Sequence, residues 1–197
     1  MIALKTKKTH IDQLIARCKK GDSTAQMQVY NNYYKAMYNT AYRILKESFE
    51  SEDLIQEAFL TAFTKLDTFK GEVTFGAWLK RIVINKSLTQ LKKNNRYEAI
   101  KTDVIPTYEI EETEIEETEI DYTSLEVKQV MNCLLKLKEN YRVILTLNLI
   151  EGYDYEEISQ ILNYTNQNVR ATISRAKKKL KQILLASTST NNEIYGR

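Results

Sequence analysis

Histidine, cysteine, proline and glycine are all scarce in this 197-residue chain, and each scarcity removes a class of fold or function. The single histidine, His10, and two isolated cysteines, Cys18 and Cys133, form no CxxC pair and no cluster with metal-ligand spacing. Neither a zinc site nor a disulfide framework is expected, so no metal or cofactor is assigned and the reducing cytoplasm is the expected home. Both cysteines read as small buried apolar residues. One proline (Pro106) and five glycines are too few for a turn-rich all-β fold. No apolar run approaches the ~20 residues of a membrane span, and the first residues, MIALKTKKTH, lack a signal-peptide core. With no phosphate-binding glycine loop and no nucleophile motif, no catalytic residue is assigned and an enzyme is not expected.

What the chain does have is charge, unevenly spread. Residues 1–97 carry 17 Lys/Arg against 9 Asp/Glu, residues 98–124 carry 1 against 10, and residues 125–197 carry 11 against 7. Two basic blocks thus flank an acidic one, within a net charge of +3. That pattern points to a polyanion-binding protein with two separate contact surfaces.

Nearly every periodic stretch reads as helix, so the expected fold class is all-α. Ile11, Leu14, Ile15 and Cys18 share one face, and Gly21 ends that segment. Met27, Tyr30, Tyr34, Met37, Tyr38, Ala41 and Leu45 form an aromatic-rich stripe on a second helix. Ser51 resembles an N-cap for a third, running to about Asp67. The loop TFKGEVT (68–74) leads into a fourth, from Phe75 to about Lys93. Residues 97–124 contain Pro106 and the block EIEETEIEETEI (109–120), with seven glutamates and no basic residue. Like-charge repulsion and the lack of a buriable face predict a flexible acidic linker. Helical patterning resumes at Leu125, a further helix spans about Tyr141 to Glu151 with Gly152 at its end, and residues 187–197 read as a frayed tail.

The run DYEEISQILNYTNQNVRATISRAKKKLKQILL (154–185) carries the strongest local signals. Asp154 and Glu157 have capping-box spacing, Tyr155, Ile158 and Leu162 give an inward face, and Asn163-Tyr164 supplies a turn. Thr165 caps the next helix, on which Val169, Ile173, Ala176, Leu180 and Ile183 form one stripe. The other side presents Gln167, Arg170, Ala171, Ser174, Arg175, Lys178 and Lys181. Forked Arg donors and amides suit base edges, and Lys suits phosphates, which is what the second helix of a helix-turn-helix needs.

In SEDLIQEAFLTAFTKLDTF, Ile55, Ala58, Phe59, Ala62, Phe63 and Leu66 form the core stripe, leaving Asp53, Gln56, Glu57, Leu60 and Thr64 opposite. Acidic and amide groups around an exposed leucine fit a protein-binding face; a plain solvated surface is the alternative. On the fourth helix, Phe75, Trp78, Leu79 and Ile82 make the apolar stripe, with Trp78 expected in the core. Arg81, Asn85 and Lys92 lie on an adjoining face.

DLIQEAFLTAF, then TFKGEVTFGAWLKRIVINKSLTQLKK, then the distal helix-turn-helix ending in SRAKKKL together resemble bacterial RNA polymerase sigma factors of the extracytoplasmic-function (ECF) group. The resemblance covers about residues 10–95 and 125–185. It implies two small helical domains: a region 2-like domain over 1–96, the acidic linker over 97–124, a region 4-like helix-turn-helix over 125–186, and a tail at 187–197. It implies a sigma factor that binds core RNA polymerase and directs promoter-specific initiation; a stand-alone helix-turn-helix regulator is the alternative, though it leaves 51–93 without a purpose. By motif match, Asp53, Gln56, Glu57 and Leu60 would meet the clamp helices of core polymerase. Lys70, Gly71, Glu72, Val73, Thr74, Arg81 and Asn85 would meet melted −10 DNA, where a flipped base needs a pocket with polar edges. Gln167, Asn168, Arg170, Ala171, Ser174, Arg175 and Lys178 would meet −35 duplex. A membrane-associated anti-sigma factor is a further partner the resemblance implies, without membrane insertion of this chain itself. Two positions depart from the family pattern: Leu137-Lys138-Glu139-Asn140 replaces a Leu-Pro, with Asn140 expected to cap, and Asn168 stands where relatives often have glycine. The acidic linker is open to two readings, a self-repelling tether or an occupant of the RNA path displaced by the transcript.

Overall fold

A computed structural model describes the backbone of residues 10–101 and 125–195, with the side chains of 95–101, 125–126 and 188–195 left aside. Every element among the described residues is helical: α1 (His10–Cys18), α2 (Ser23–Leu45), α3 (Ser48–Thr64), α4 (Phe75–Lys101), α5 (Leu125–Leu135), α6 (Glu139–Leu145), α7 (Tyr155–Leu162) and α8 (Asn166–Tyr195). A 3-10 turn, Leu66–Thr68, precedes α4, and a π-helical turn, Thr146–Ile150, follows α6. The chain divides into two compact units, one up to Leu91 and one from Lys92. Most of the acidic stretch, 102–124, and with it both readings of the linker, lies outside the described residues.

In the N-terminal unit, α2 packs against α1 and α3. Leu14, Ile15 and Cys18 bury one face of α1, which gives way at Gly21 with φ +80, a conformation glycine adopts without steric penalty. Asp22 then caps α2: its carboxylate accepts from the Ala25 N–H at 3.1 Å and pairs with Arg17 at 2.8 Å. The Ala25 bond first, then Arg17, hold that carboxyl below the ordinary aspartate range. Along α2, Tyr30, Tyr34, Tyr38 and Tyr42 sit four residues apart, with successive ring centroids 5.3, 6.0 and 6.1 Å from each other. Tyr30 also meets Phe59 of α3 at 4.7 Å.

Helix α3 begins four residues earlier than the sequence predicts. Glu47 is the N-cap, its carboxylate accepting from the Glu50 N–H at 2.7 Å. Ser51, expected to cap, lies fully buried inside the helix and donates its hydroxyl to the Glu47 carbonyl. The predicted core stripe holds: Ile55, Ala58, Phe59, Ala62 and Leu66 are buried and Phe63 half-buried. Helix α4 buries Phe75, Leu79, Val83 and Ile84, and its backbone runs on to Lys101, past the predicted domain boundary.

In the C-terminal unit, α8 is the helix on which α5, α6 and α7 all pack. Val169, Ile173, Ala176 and Leu180 face that core, as the sequence stripe predicts, with Ile183 half-buried. Helix α6 starts at Glu139 with Lys138 in the N-cap position and no side-chain cap, so Asn140 is not the cap. After the π-helical turn, Gly152 takes φ +79 and reverses the chain into α7. The helix backbone of α8 extends to Tyr195, through the segment that composition marks as a tail.

Candidate nucleic-acid interface

The helix-turn-helix is specified by local hydrogen bonds. Asp154 accepts from the Glu157 N–H at 2.8 Å while the Glu157 carboxylate accepts from the Asp154 N–H at 2.9 Å, a reciprocal capping box. Helix α7 ends at Asn163, which adopts the left-handed conformation at φ 56, and the Ser159 hydroxyl donates to the Tyr164 carbonyl across the turn. Thr165 Oγ1 then accepts from the Asn168 N–H at 3.2 Å and opens α8. A buried contact from Ile158 anchors α7.

This frame displays Gln167, Asn168, Arg170, Ala171, Ser174, Arg175, Lys178 and Lys181 on the exposed side of α8. Three are already oriented. Asn168 Oδ1 accepts from the Thr172 hydroxyl at 3.1 Å, and Arg175 Nε donates to the Ala171 carbonyl at 3.2 Å. The Arg170 guanidinium lies 5.7 Å from the ring centroid of Tyr155 on α7. Tyr155, expected to face inward, is instead 37% exposed. Only its polar neighbourhood, not its spacing, could have signalled that role, because periodicity alone places it beside Ile158.

In the N-terminal unit, Asp53, Gln56, Glu57 and Leu60 emerge together on the exposed face of α3, with Leu60 at 68% exposure despite being apolar. Glu57 also meets Lys86 of α4 at 3.1 Å, a pair 29 residues apart that sequence patterning does not reveal. At such an exposed position the pair contributes little to stability, about 0.2–1 kcal/mol.

The loop Lys70-Gly71-Glu72-Val73-Thr74 is exposed at every residue, and Gly71 takes φ +78. It is held from its ends. Lys19 Nζ donates to the Phe69 carbonyl at 3.4 Å, and Thr74 Oγ1 accepts from the Ala77 N–H at 3.2 Å. Phe69 and Phe75, which flank the loop in the chain, form a ring cluster with Trp78 at centroid separations of 5.5–5.7 Å. Trp78 is half-buried there, less enclosed than its place in the apolar stripe predicts. Gly76 explains the close fit of α4 on α2: a Cβ at that position would stand 2.9 Å from Tyr33 Cε1. Asn85 and Lys92 are exposed on α4, and Arg81 is half-buried. Among the described residues no group of His, Cys, Asp and Glu could hold a metal ion.

An acidic, amide-bearing face and an exposed loop in one unit, with a capped helix-turn-helix and a basic face in the other, fit a two-part DNA-reading transcription protein. Comparison with known proteins makes the class specific. The model of Sigma-70 region 2 matches residues 29–97, and that of Sigma-70, region 4 matches residues 128–180. The chain is 31% identical over 180 residues to the ECF RNA polymerase sigma factor SigW of Bacillus subtilis (strain 168), covering 88% of this chain and 96% of the relative. It is 30% identical over 171 residues to the ECF RNA polymerase sigma-E factor of Escherichia coli (strain K12), covering 84% and 89%. Among solved structures, CnrH in complex with the cytosolic domain of CnrY is similar at 25% identity and TM-score 0.52, over 88% of this chain and 96% of that one. The sigma factor RpoE in complex with the anti-sigma factor NepR from Bartonella quintana shares the fold at TM-score 0.57 and 23% identity, over 80% and 95%. The chain belongs to the ECF RNA polymerase sigma factors: a non-catalytic subunit that directs RNA polymerase to promoters.

Proposed function

We propose that the work of promoter recognition is divided among three surfaces of this chain. The exposed face of α3, with Asp53, Gln56, Glu57 and Leu60, docks on the clamp helices of core polymerase. Its support is the combination of two carboxylates and an amide around a leucine that is 68% exposed, a composition suited to a basic, partly apolar protein surface. The loop 70–74, with Arg81 and Asn85 on α4, receives melted −10 DNA. An exposed loop flanked by an aromatic cluster offers both the polar edges a flipped base needs and rings for stacking. The exposed side of α8, from Gln167 to Lys178, enters the major groove of the −35 duplex. The observation that carries this division is the segregation of the acidic face on α3 from the basic face on α8.

The site of action is the cytoplasm, where template and polymerase meet. No helix among the described residues is long and apolar enough to cross a membrane. An anti-sigma partner is proposed on the likeness to CnrH, which is held by the cytosolic domain of CnrY.

Reconstitution with core polymerase tests the division of labour. Glu57→Lys reverses charge on the α3 face and is expected to weaken core binding by about ten-fold. DNA contacts made by α8 should be untouched. Unchanged affinity for core would remove α3 from the polymerase interface.

A further inference from the structure

The aromatic ring at the start of α7 is not among the buried residues of the core, and none of the three surfaces above includes it. Ile158 is the buried residue of α7, while Tyr155, three residues earlier, is 37% exposed. Its ring does not face water alone: the guanidinium carbon of Arg170, on α8, lies 5.7 Å from the ring centroid. The two residues sit on different helices of the helix-turn-helix, so the contact spans the motif. We propose that Tyr155 is a positioning residue for −35 recognition, holding the Arg170 guanidinium in the orientation that reads a guanine.

An exposed arginine samples many rotamers, and fixing it on a base costs side-chain entropy. A guanidinium laid against an aromatic face has a restricted plane, which suits a planar fork that must donate in parallel to O6 and N7 of guanine. The backbone that carries the ring is itself fixed. Asp154 is the N-cap immediately before Tyr155, and its reciprocal bonds with Glu157 pin the first turn of α7. The preorganising chain therefore runs from the capping box, through Tyr155, to Arg170 and on to the base. The first helix of the motif, besides crossing the backbone, would thereby set specificity through a residue that need not touch DNA.

The inference rests on the reading of α8 as the −35 helix, and the experiment separates the two. Holoenzyme assembled from the full chain and core polymerase is used to select promoters from a library randomised across the −35 region, and base preference is read by sequencing. Arg170→Ala should flatten preference at one base pair that is guanine-containing in the wild-type selection. Tyr155→Leu should reduce preference at that same position by about two- to five-fold, the range of an exposed cation–π contact. Tyr155→Phe should keep it, because the ring face is retained. In an Arg170→Ala background, Tyr155→Leu should change nothing further. If Arg170→Ala leaves every preference intact, the reading of α8 fails and takes the inference with it. If Arg170→Ala flattens a position but Tyr155→Leu does not, the inference alone fails. A uniform loss of affinity in Tyr155→Phe, equal at all sequences, would mark the hydroxyl as a phosphate contact and overturn the positioning role. Tyr155 is exposed, so these variants should fold; thermal melting of each full-length variant checks that directly.

Discussion

Between Asp154 and Asn168, side chains complete the helix ends one after another: the reciprocal pair of Asp154 and Glu157, the Ser159 hydroxyl on the Tyr164 carbonyl, and Thr165 under the Asn168 N–H. Between Lys70 and Thr74 the chain is exposed at every residue and is fastened at its two ends, by Lys19 on Phe69 and by Thr74 on Ala77. These are the two segments proposed above to meet duplex and melted DNA. On that proposal the difference suits what each target is. A duplex presents donors and acceptors at fixed positions, so a reader gains from being preformed. An unstacked base arrives with variable geometry, so its receiver gains from an adaptable loop flanked by aromatic rings.

The largest test of this contrast removes the anchor of the preformed reader. Ile158 is fully buried and is the apolar contact that seats α7 on the unit. Ile158→Ala should cost about 2–5 kcal/mol through lost burial and the cavity left behind. Because the two units have separate cores, hydrogen exchange should accelerate in α7 and α8 and stay unchanged in α2 and α3. Equal acceleration in both units would mean that they fold as one, and the contrast between two independently held readers would collapse.

A smaller test compares the caps. Asp154→Ala deletes one partner of a reciprocal box, leaving the Glu157 N–H without its acceptor, and should cost about 1 kcal/mol. Thr74→Ala deletes a single bond of 3.2 Å at an exposed helix start and should cost about half that. The two variants are compared by denaturant titration of the unit each belongs to. If Thr74→Ala proves as costly as Asp154→Ala, the loop is as firmly specified as the helix-turn-helix.

What could be read from the sequence divides along a related line. The capping box, the Thr165 cap, the stripe on α8 and the outward face of α3 all depend on residues three to seven apart, and all were legible. The start of α3 was not. Ser51 has the chemistry of a cap, but its hydroxyl turns back to the Glu47 carbonyl inside a helix already under way, and Glu47, a less usual cap, supplies the bond to Glu50. The exposure of Tyr155 was hidden because periodicity fixes an angle around one helix and says nothing about the neighbour the ring will meet. The Glu57–Lys86 pair and the fit of Gly76 against Tyr33 were hidden for the same reason, since both depend on how separate helices pack. The candidate site was thus legible in its composition and faces, and illegible in the contacts that orient it.

The smallest effect is a titration, and it probes the α2 scaffold of the N-terminal unit. Tyr30, Tyr34 and Tyr38 have phenol pKa values raised above the ordinary tyrosine value, first by burial and then by the nearby Glu52 carboxylate; that of Tyr38 is pushed up to about 12, with Tyr34, Tyr42 and Glu47 adding to it. A folded state that resists ionisation of a phenol is stabilised by it below the unfolded value near pH 10, and loses that contribution as pH rises toward about 12. Tyrosinate absorbance should therefore rise in more than one phase, with part of the signal from the thirteen tyrosines appearing late. Glu52→Gln should advance the late phase only partly, because burial is the larger cause. A late phase that vanished in Glu52→Gln would make the carboxylate, not burial, the main reason these phenols resist ionisation. A single phase in the wild type would mean that the tyrosine ladder is open to water, and that the N-terminal unit lacks the firm scaffold on which an adaptable loop depends.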